Sequence, residues 1–330
     1  MNKLYPLSFK PICKEKIWGG QKIKNLLHKD TQDLKNCGES WEISGVEGSI
    51  SVVESGKLKG IDLNALIEQY KSELVGEKVY EANGNQFPLL IKFLDANEDL
   101  SIQVHPNDAL ALQRHQCLGK TEMWYVVHAD QNATLITGFN APTTKEIYLQ
   151  KIKNNTLNQI LNTENAQEGD VFFVPAGRIH TIGKGLLIAE IQQTSDITYR
   201  IDDFQRTDDA GNHRELHIDQ SINALDYTHY PNTYKTQYNA PKNDAVNLVA
   251  AQYFKTNLIQ TDTQLKRDYT DLDSFVILIV IEGNLQIHWD NAQTTSLQKG
   301  QTLLIPACIK HIEIVAEAGN EIKILETFVP

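Results

Sequence analysis

Cysteine is scarce in this sequence, and the few cysteines are widely separated. The 330 residues include four of them, Cys13, Cys37, Cys117 and Cys308, and none belongs to a Cys-x-x-Cys pair. This spacing excludes a cysteine-rich zinc ribbon, and it gives no disulfide framework of the kind found in small secreted domains. A metal site in this chain therefore has to be built from other residue types.

Long apolar segments are missing as well. The first residues, Met1–Pro6, contain no apolar stretch of signal-peptide length. The longest apolar run, Phe275–Ile281, is far shorter than the roughly 20 residues that a membrane-spanning helix requires. We therefore expect a cytoplasmic protein that has no membrane partner.

Positive charge is in short supply. Lys and Arg number 31 against 42 Asp and Glu, which gives a formal net charge of −11. A chain this acidic is a poor non-specific partner for nucleic acid, and none is expected. An anionic substrate would need a local concentration of Lys and Arg side chains. The length suits two domains of roughly 100–200 residues each.

Short strand-like segments dominate the sequence and predict a mainly β fold. Three stretches with helical apolar spacing, 62–75, 106–114 and 143–161, are interpreted as insertions on this β scaffold. The predicted strands are Ser49–Val53, Leu89–Leu94, Leu100–His105, Glu122–Val127, Val171–Val174 and Leu186–Ile191. Their spacing favours an antiparallel sandwich or barrel over βαβ units.

An internal repeat indicates two related β units. The segment Gly169–His180 recurs as Gly300–His311, at a constant offset of 131 residues. The polar stretch 230–244, which contains two prolines, is the candidate linker. We therefore predict an N-terminal domain at 1–235 and a C-terminal domain at 236–330.

The first copy of the repeat also resembles a known motif. Its pattern, Gly169-x5-Pro175-x-Gly177-x2-His180, resembles the second cupin motif, in which a Pro-x-Gly turn aims the histidine into a β-barrel. The resemblance implies two cupin-type jelly-roll β-barrels, with the helical insertions in the N-terminal part.

Alternation on two predicted strands places polar side chains on the inner face of the first barrel. Ser101, Gln103 and His105 share one face of a strand, and Lys120 and Glu122 share one face of another. Unpaired polar groups are costly to bury, so polar side chains on an inner face indicate a functional role. Imidazole, carboxylate and amide groups suit Zn²⁺ in a site that keeps room for substrate. The proposed ligands are Gln103, His105, Glu122 and His180.

The second unit lacks the same set of residues. His311 matches His180 in the repeat, but the position that matches Glu122 falls near Val276, and no Gln-x-His pair precedes it. One metal ion per chain, in the N-terminal domain, is therefore expected.

Four spaced motifs follow one another along nearly the whole chain. They are Gln103–Asp108, Lys120–Met123, Pro175–His180 and Glu190–Arg200. Together they resemble the short bacterial form of type I mannose-6-phosphate isomerase, a family of the cupin superfamily, and the early segments Trp18–Gly20 and Gly38–Glu42 fit it too. The resemblance implies a zinc-dependent cupin enzyme that interconverts mannose 6-phosphate and fructose 6-phosphate, with the metal on the four ligands named above.

The resemblance also implies roles for charged residues near the metal. The family's catalytic arginine falls on Arg200, its other active-site acids on Glu190 and Asp196, and its phosphate-side or pocket residues on Ser101, Lys120 and Arg206. The longer eukaryotic enzymes have lysine in a Thr-Pro-Lys setting at the last position, where this chain has Arg206. Phosphate binding is therefore assigned first to Lys120.

An aldose–ketose isomerase moves a proton between C2 and C1 of its sugar through an enediol. Guanidinium stays protonated in proteins, so Arg200 is assigned to stabilising negative charge on the enediol or to orienting the sugar. Glu190 is the candidate for moving protons, with a metal-activated water as the alternative. In another interpretation, Glu190 or Asp196 only pairs with Arg200 and holds it in place.

Two other classes of protein share parts of this pattern. A non-haem iron oxygenase also uses two histidines and one carboxylate, but the wide spacing of His105, Glu122 and His180 argues against it. A non-catalytic sugar-binding cupin would have the pocket without Arg200 or Glu190, and both are present. A phosphorylated hexose is the expected partner. The oligomeric state is open, with a monomer as one expectation.

Overall fold

Strands account for most of the regular structure, as the sequence predicts. The computed structural model describes residues 3–207, 210–231, 233–290, 293–317 and 320–330. The N-terminal strands are β1 (Ile12–Gly20), β2 (Cys37–Ile43), β3 (Leu89–Ala96), β4 (Ile102–Val104), β5 (Glu122–Ala129), β6 (Thr134–Phe139), β7 (Leu161–Asn165), β8 (Val171–Val174), β9 (His180–Ile182), β10 (Leu186–Gln193) and β11 (Tyr199–Asp202). The C-terminal strands are β12 (Asp244–Ala250), β13 (Lys255–Thr261), β14 (Gln264–Asp268), β15 (Val276–Glu282), β16 (Asn284–Trp289), β17 (Gln293–Gln298), β18 (Thr302–Ile305), β19 (His311–Ala316) and β20 (Ile322–Phe328). The helices are α1 (Lys22–Leu27), α2 (Leu63–Tyr70), α3 (Ser72–Val75), α4 (Glu77–Asn83), α5 (Asp108–His115), α6 (Lys145–Lys153) and α7 (Ile218–Ala224), with a 3₁₀ turn at Leu157–Ile160.

Each half of the chain forms two antiparallel sheets with a related strand order. In the N-terminal unit one sheet has the order β1-β2-β3-β10-β5-β8 and the other has the order β11-β4-β9-β6-β7. The C-terminal sheets have the orders β12-β13-β20-β15-β18 and β14-β19-β16-β17. The series β3-β10-β5-β8 therefore recurs as β13-β20-β15-β18, and the predicted repeat is confirmed.

Both units are cupin-like sandwiches, which confirms the predicted fold class. Within the described residues, strand pairing does not join the two sheets of a unit into a closed cylinder. The sheets meet instead through apolar side chains: Trp124 and Ile188 of one N-terminal sheet share a cluster with Leu135 and Ile182 of the other. The predicted barrels are thus corrected to open jelly rolls, because packing between the sheet faces, rather than hydrogen bonding at their edges, closes the core.

The two units share a second apolar core. Alternate residues of β5 divide between the two cores, with Trp124 and Val126 facing the interior of the N-terminal unit. Met123 and Tyr125 face outward into a cluster that also contains Ile277 of the C-terminal unit. A strand covered on both sides has no solvent-facing side, which explains why β3 and β10 are buried along their whole length.

Phe275→Ala is expected to destabilise both units together. The ring of Phe275 lies 4.6 Å, between centroids, from that of Phe87 in the N-terminal unit, and both are fully buried. Removing a buried phenylalanine ring costs about 3–5 kcal/mol. Urea unfolding should show a single transition, and the free energy of unfolding should be lower than that of the wild type by this amount.

The control for this variant is Leu112→Ala, at a residue that is 67% exposed. That change should alter the free energy of unfolding by less than ~0.5 kcal/mol. Two separate unfolding transitions for the Phe275 variant, or a loss below ~1 kcal/mol, would contradict a shared core.

The predicted helix at 62–75 is interrupted. Asp62 caps its start, because its side chain accepts a hydrogen bond from the N–H of Ala65 at 2.9 Å. Lys71 has a φ of 48° and separates α2 from α3. The predicted strand at 49–53 is wrong, since only isolated bridges form there.

The chain between β11 and β12 does not leave the N-terminal unit at once. The hydroxyl of Tyr238 donates a hydrogen bond to the carbonyl of Gly169 at 2.6 Å, so contact continues past residue 235. The division into 1–235 and 236–330 stays a prediction, and Asn232, in the predicted linker, lies outside the described residues. In the part of the chain that the structure describes, no helix is both long and apolar enough to cross a bilayer.

Candidate active site

Three neighbouring strands of the N-terminal unit bring polar side chains into register. Gln103 on β4 lies opposite His180 on β9 and opposite Arg200 on β11. Facing residues of antiparallel strands have Cβ atoms about 5 Å apart. The intervening Ile102 and Val104 point the other way, into a separate apolar cluster, which confirms the predicted alternation.

A tight turn aims the second histidine into the unit. Gly177 has a φ of +92°, which L-residues with side chains rarely adopt. Its N–H donates to the carbonyl of His105 at 2.9 Å, and the N–H of Arg178 donates to the carbonyl of Pro175 at 3.1 Å. The Pro-x-Gly turn is thereby tied to the end of β4, and β9 begins at His180.

His105, Glu122 and His180 converge on one point inside the unit. The Nε2 atoms of His105 and His180 lie 3.6 and 3.4 Å from the Glu122 carboxylate, and each of the three side chains is 1% exposed. One ligand atom from each lies within 4.8 Å of the others. The structure therefore brings together three of the four predicted ligands in a group able to bind a metal ion.

Hydrogen bonds on the far side of each ring fix the imidazoles. The carbonyls of Ile197 and Arg178 lie 2.9 and 2.8 Å from Nδ1 of His105 and His180, respectively, which assigns a proton to each Nδ1. Each Nε2 then carries a lone pair. Burial lowers the pKa of His180 to about 3 and that of His105 well below its usual value, so both rings are neutral at pH 7.

The atoms that face this point fit a bound cation. Both oxygens of Glu122 and Nε2 of His180 are buried without a hydrogen-bond partner among the described residues. A buried polar atom left without any partner costs about 1–3 kcal/mol, and of these three atoms the Glu122 oxygen nearest Lys120 is the one that has an ion-pair partner. The ammonium of Lys120 lies 3.1 Å from Nε2 of His105 and 3.2 Å from the Glu122 carboxylate, so positive charge is already beside them. Gln103, the fourth ligand, stays a prediction.

A polar cavity of about 270 Å³ opens beside the triad formed by His105, Glu122 and His180. Among the residues that the sequence selects, its lining includes Ser101, Gln103, Lys120, Glu190, Asp196 and Arg200. Sequence reasoning missed four charged residues of the lining, which are Lys16, Glu39, Lys92 and Arg214. Lys92 had a signal, because a lysine inside the apolar run Leu89–Leu94 needs a buried partner.

Each lysine of the cavity is paired with a carboxylate. The pairs and their N–O distances are Lys16–Glu39 at 3.1 Å, Lys92–Glu190 at 3.4 Å and Lys120–Glu122 at 3.2 Å. Burial by itself lowers the pKa of Lys120, but the charges of Glu122, Glu190 and Asp196 outweigh burial and raise that pKa. Lys120 is therefore a permanent cation at neutral pH.

Arg200 is not held by either of the neighbouring acids. Glu190 accepts a hydrogen bond from Trp124 at 3.1 Å, and Asp196 is exposed. Within the residues that the structure describes, neither acid forms an ion pair with Arg200. Arg200 instead donates from Nη1 to the carbonyl of Glu215 at 2.9 Å, and its Nε is buried without a partner among those residues.

Arg206 lies outside this cavity. Its guanidinium donates to the carboxylate of Asp203 at 2.6 Å and also to the carbonyl of Asp99. It lines a neighbouring pocket together with Phe204 and Leu216. The structure thus does not bring Arg206 to the other predicted substrate residues.

The C-terminal unit has no equivalent triad among its described residues. Val276 holds the strand-register position that Glu122 holds in the N-terminal unit. His311, the counterpart of His180, has a side chain that is 72% exposed. The C-terminal unit therefore has the same fold as the N-terminal unit but lacks its metal ligands among the described residues.

Neutral imidazoles and a carboxylate, buried beside a charged cavity in a cupin-like sandwich, define a class: cupin-type enzymes with a metal-binding centre. Residues 7–121 match the family described as "Phosphomannose isomerase type I, catalytic domain". The mannose-6-phosphate isomerase of Streptococcus mutans is 36% identical over 322 residues, covering 96% of this chain and 99% of that protein. This chain belongs to the type I phosphomannose isomerase family.

Relatives of known structure share the whole fold. The mannose 6-phosphate isomerase of Bacillus subtilis superposes with a TM-score of 0.86 at 31% identity, covering 98% of this chain and 99% of that one. A mutant phosphomannose isomerase of Salmonella typhimurium superposes with a TM-score of 0.78 at 14% identity, covering 98% of this chain and 100% of that one. The second likeness shows the fold alone. The predicted family is confirmed, and with it the prediction of an isomerase.

Proposed function

We propose that this chain interconverts mannose 6-phosphate and fructose 6-phosphate, with one zinc ion bound by Gln103, His105, Glu122 and His180. The observation that carries the proposal is a concentration, in and beside the cavity, of buried polar atoms that accept or donate no hydrogen bond among the described residues. Of twelve buried side-chain atoms without a hydrogen-bond partner among the described residues, six belong to Glu122, His180, Glu190, Gln192 and Arg200. A cation and a polar substrate would satisfy them.

The predicted donor set suits zinc. Two neutral imidazoles, a carboxylate and an amide oxygen are compatible with a catalytic Zn²⁺ site, and the cavity leaves room for substrate beside them. When bound, the ion supplies Lewis-acid polarisation of the sugar oxygens without redox chemistry. An isomerisation with no net oxidation requires nothing more from the metal.

Arg200 is assigned to the negative charge that develops on the enediol. One edge of its guanidinium is engaged by the Glu215 carbonyl, while Nε is buried and unpartnered within the described chain. Burial and the nearby charge of Arg214 lower the pKa of Arg200, yet guanidinium remains protonated at neutral pH. Arg200 can therefore donate hydrogen bonds to an oxyanion but cannot accept a proton.

Glu190 is assigned to proton transfer between C1 and C2. One of its oxygens accepts a hydrogen bond from Trp124, and the other is buried without a hydrogen bond from any described residue, 3.4 Å from the ammonium of Lys92. That second oxygen is the one that can take up a proton from a substrate carbon and return it.

Lys120 is assigned to substrate oxygens at the reacting end of the sugar. Its Nζ lies against His105 and Glu122, and a fixed cation there stabilises developing negative charge. Ser101 and Asp196 line the same cavity and are assigned to the sugar hydroxyls.

The purified, zinc-loaded protein should convert mannose 6-phosphate to fructose 6-phosphate in a coupled assay, at roughly 1–10³ per second. Chelation should abolish the reaction and zinc should restore it, with unphosphorylated mannose as the control for phosphate recognition. Oxygen consumption in place of isomerisation would support the oxygenase alternative. Sugar-phosphate binding without turnover would support a non-catalytic cupin. Either result would overturn the proposal.

A further inference from the structure

We propose that Arg214 binds the phosphate group of the substrate, at the end of the cavity away from the metal ligands. The inference rests on the proposed function and deepens it, since it adds a residue that neither the motifs nor the family resemblance selects. Arg214 takes the phosphate-binding role that the family resemblance assigns to Lys120 and Arg206.

The chemistry of the substrate separates the two ends of the site. Isomerisation takes place at C1 and C2 of the hexose, whereas the phosphate is carried on C6. Lys120 contacts His105 and Glu122, so it lies where C1 and C2 must react. The group that binds the phosphate has to lie farther along the cavity, and Arg214 is a cation of the lining that does not contact the triad.

Arginine side chains supply the excess positive charge of this region. The cavity lysines each have their own carboxylate, whereas Arg206 and Arg214 share the single carboxylate of Asp203. Arg200 has no carboxylate partner among the described residues. A phosphate dianion is a suitable counterion for such an excess, and guanidinium binds it through two parallel hydrogen bonds.

Asp203 holds the Arg214 guanidinium by one edge. Nε donates to Oδ2 at 2.7 Å and Nη2 donates to Oδ1, and Asp203 is itself only 5% exposed. This two-point contact fixes the guanidinium plane. Neither hydrogen bond uses Nη1, so a donor of the fixed guanidinium remains for an anion, and Arg214 lines both this cavity and the neighbouring pocket that contains Arg206.

The segment that carries Arg214 also positions Arg200. The carbonyl of Glu215 accepts a hydrogen bond from Arg200 Nη1 at 2.9 Å, and the N–H of His217 donates to the carbonyl of Arg200 at 2.7 Å. Burial, and then the charge of Arg214, lower the pKa of Arg200. The two cations therefore repel each other in the free protein, and an anion bound between them relieves that repulsion.

Arg214→Ala is expected to raise KM for mannose 6-phosphate by about 10–100-fold, the effect of losing one charged hydrogen-bonding group. The kcat should change far less, because a contact at C6 is made equally in the ground and transition states. Titration with inorganic phosphate should show the same loss of affinity in the metal-loaded protein. Arg214→Lys should fall between the variant and the wild type, since it keeps the charge without the fork.

Arg267→Ala is the matched control. Arg267 makes the same two-point contact with Glu326 in the C-terminal unit, at 2.8 and 2.7 Å, but does not line the cavity. Its KM and phosphate affinity should stay at wild-type values, and thermal melts should show both variants folded. Where an alanine variant fails to fold, Arg214→Lys and Arg267→Lys form the second matched pair.

Unchanged KM and phosphate affinity in Arg214→Ala would overturn the inference, as would a larger rise in KM for Arg206→Ala than for Arg214→Ala. Phosphate titration needs no turnover, so it separates this inference from the proposed function. If wild-type protein binds phosphate through Arg214 but does not isomerise mannose 6-phosphate, the phosphate site is supported and the proposed reaction is overturned.

Discussion

His180→Ala is expected to abolish isomerase activity and metal retention while the chain stays folded. His180 supplies one of the two imidazoles of the triad, and its Nε2 lies 3.4 Å from the Glu122 carboxylate. Because a catalytic metal contributes several kcal/mol of transition-state stabilisation, turnover should fall roughly a thousandfold or more. The coupled assay measures turnover, and elemental analysis after gel filtration measures bound metal.

The matched control is His311→Ala, at the repeat-related position of the C-terminal unit. The position that corresponds to Glu122 is there occupied by Val276, and the His311 side chain is 72% exposed. Metal content, activity and melting temperature should all remain at wild-type values. Retained activity in His180→Ala would show that His180 is not a metal ligand. Lost metal in His311→Ala would show that the second unit binds an ion.

The interior of the N-terminal unit could be predicted because a strand places every second residue on the same face. Gln103 and His105 alternate with apolar Ile102 and Val104, so the polar pair had to share a face whichever strands came to lie beside it. Lys120 and Glu122 obey the same rule, and in the structure their side chains are 3.2 Å apart.

The correspondence between the two units could also be predicted. The offset of 131 residues is constant only within the repeated segment, and the paired positions before it are spaced differently: Glu122 precedes Val174 by 52 residues, whereas Val276 precedes Ile305 by 29. An apolar strand precedes each copy, so the sequence places the counterpart of Glu122 near Val276, and the pairing of Glu122 with Val174 and of Val276 with Ile305 fixes the match. The open edges of the sheets could not be predicted in this way, because barrel closure depends on pairing between strands that are distant in the sequence.

Arg214 could not be found from local pattern. It belongs to a polar segment with no strand or helix periodicity, and it reaches the cavity through tertiary contact with Asp203. The core shared by the two units could not be predicted for a related reason. Continuous apolar runs such as Leu89–Leu94 indicate that a strand is buried on both faces, but they do not indicate which unit covers the second face.

Arg200→Lys is expected to lower turnover by roughly 10²–10³-fold, the usual cost of removing one donor to a developing oxyanion. Metal content should stay near one ion per chain, because Arg200 is not among the ligands. The charge is retained in this variant, so a large loss would show that the geometry of the donors, and not charge alone, stabilises the enediol. Steady-state kinetics with metal analysis on the same samples measures both quantities.

The physical reason lies in how Arg200 is held. Its Nη1 donates to the Glu215 carbonyl at 2.9 Å while Nε is left without a partner among the described residues, so one planar group can serve the protein and the substrate at once. A lysine ammonium is a single point on a flexible stem and cannot keep both sets of contacts in the same geometry. Arg114→Lys is the matched control, since Arg114 lies 5.6 Å from the ring of Tyr199 and donates to the carbonyl of Gln220 at 3.0 Å, outside the cavity. Its turnover should match the wild type, and undiminished turnover in Arg200→Lys itself would contradict the role assigned to Arg200.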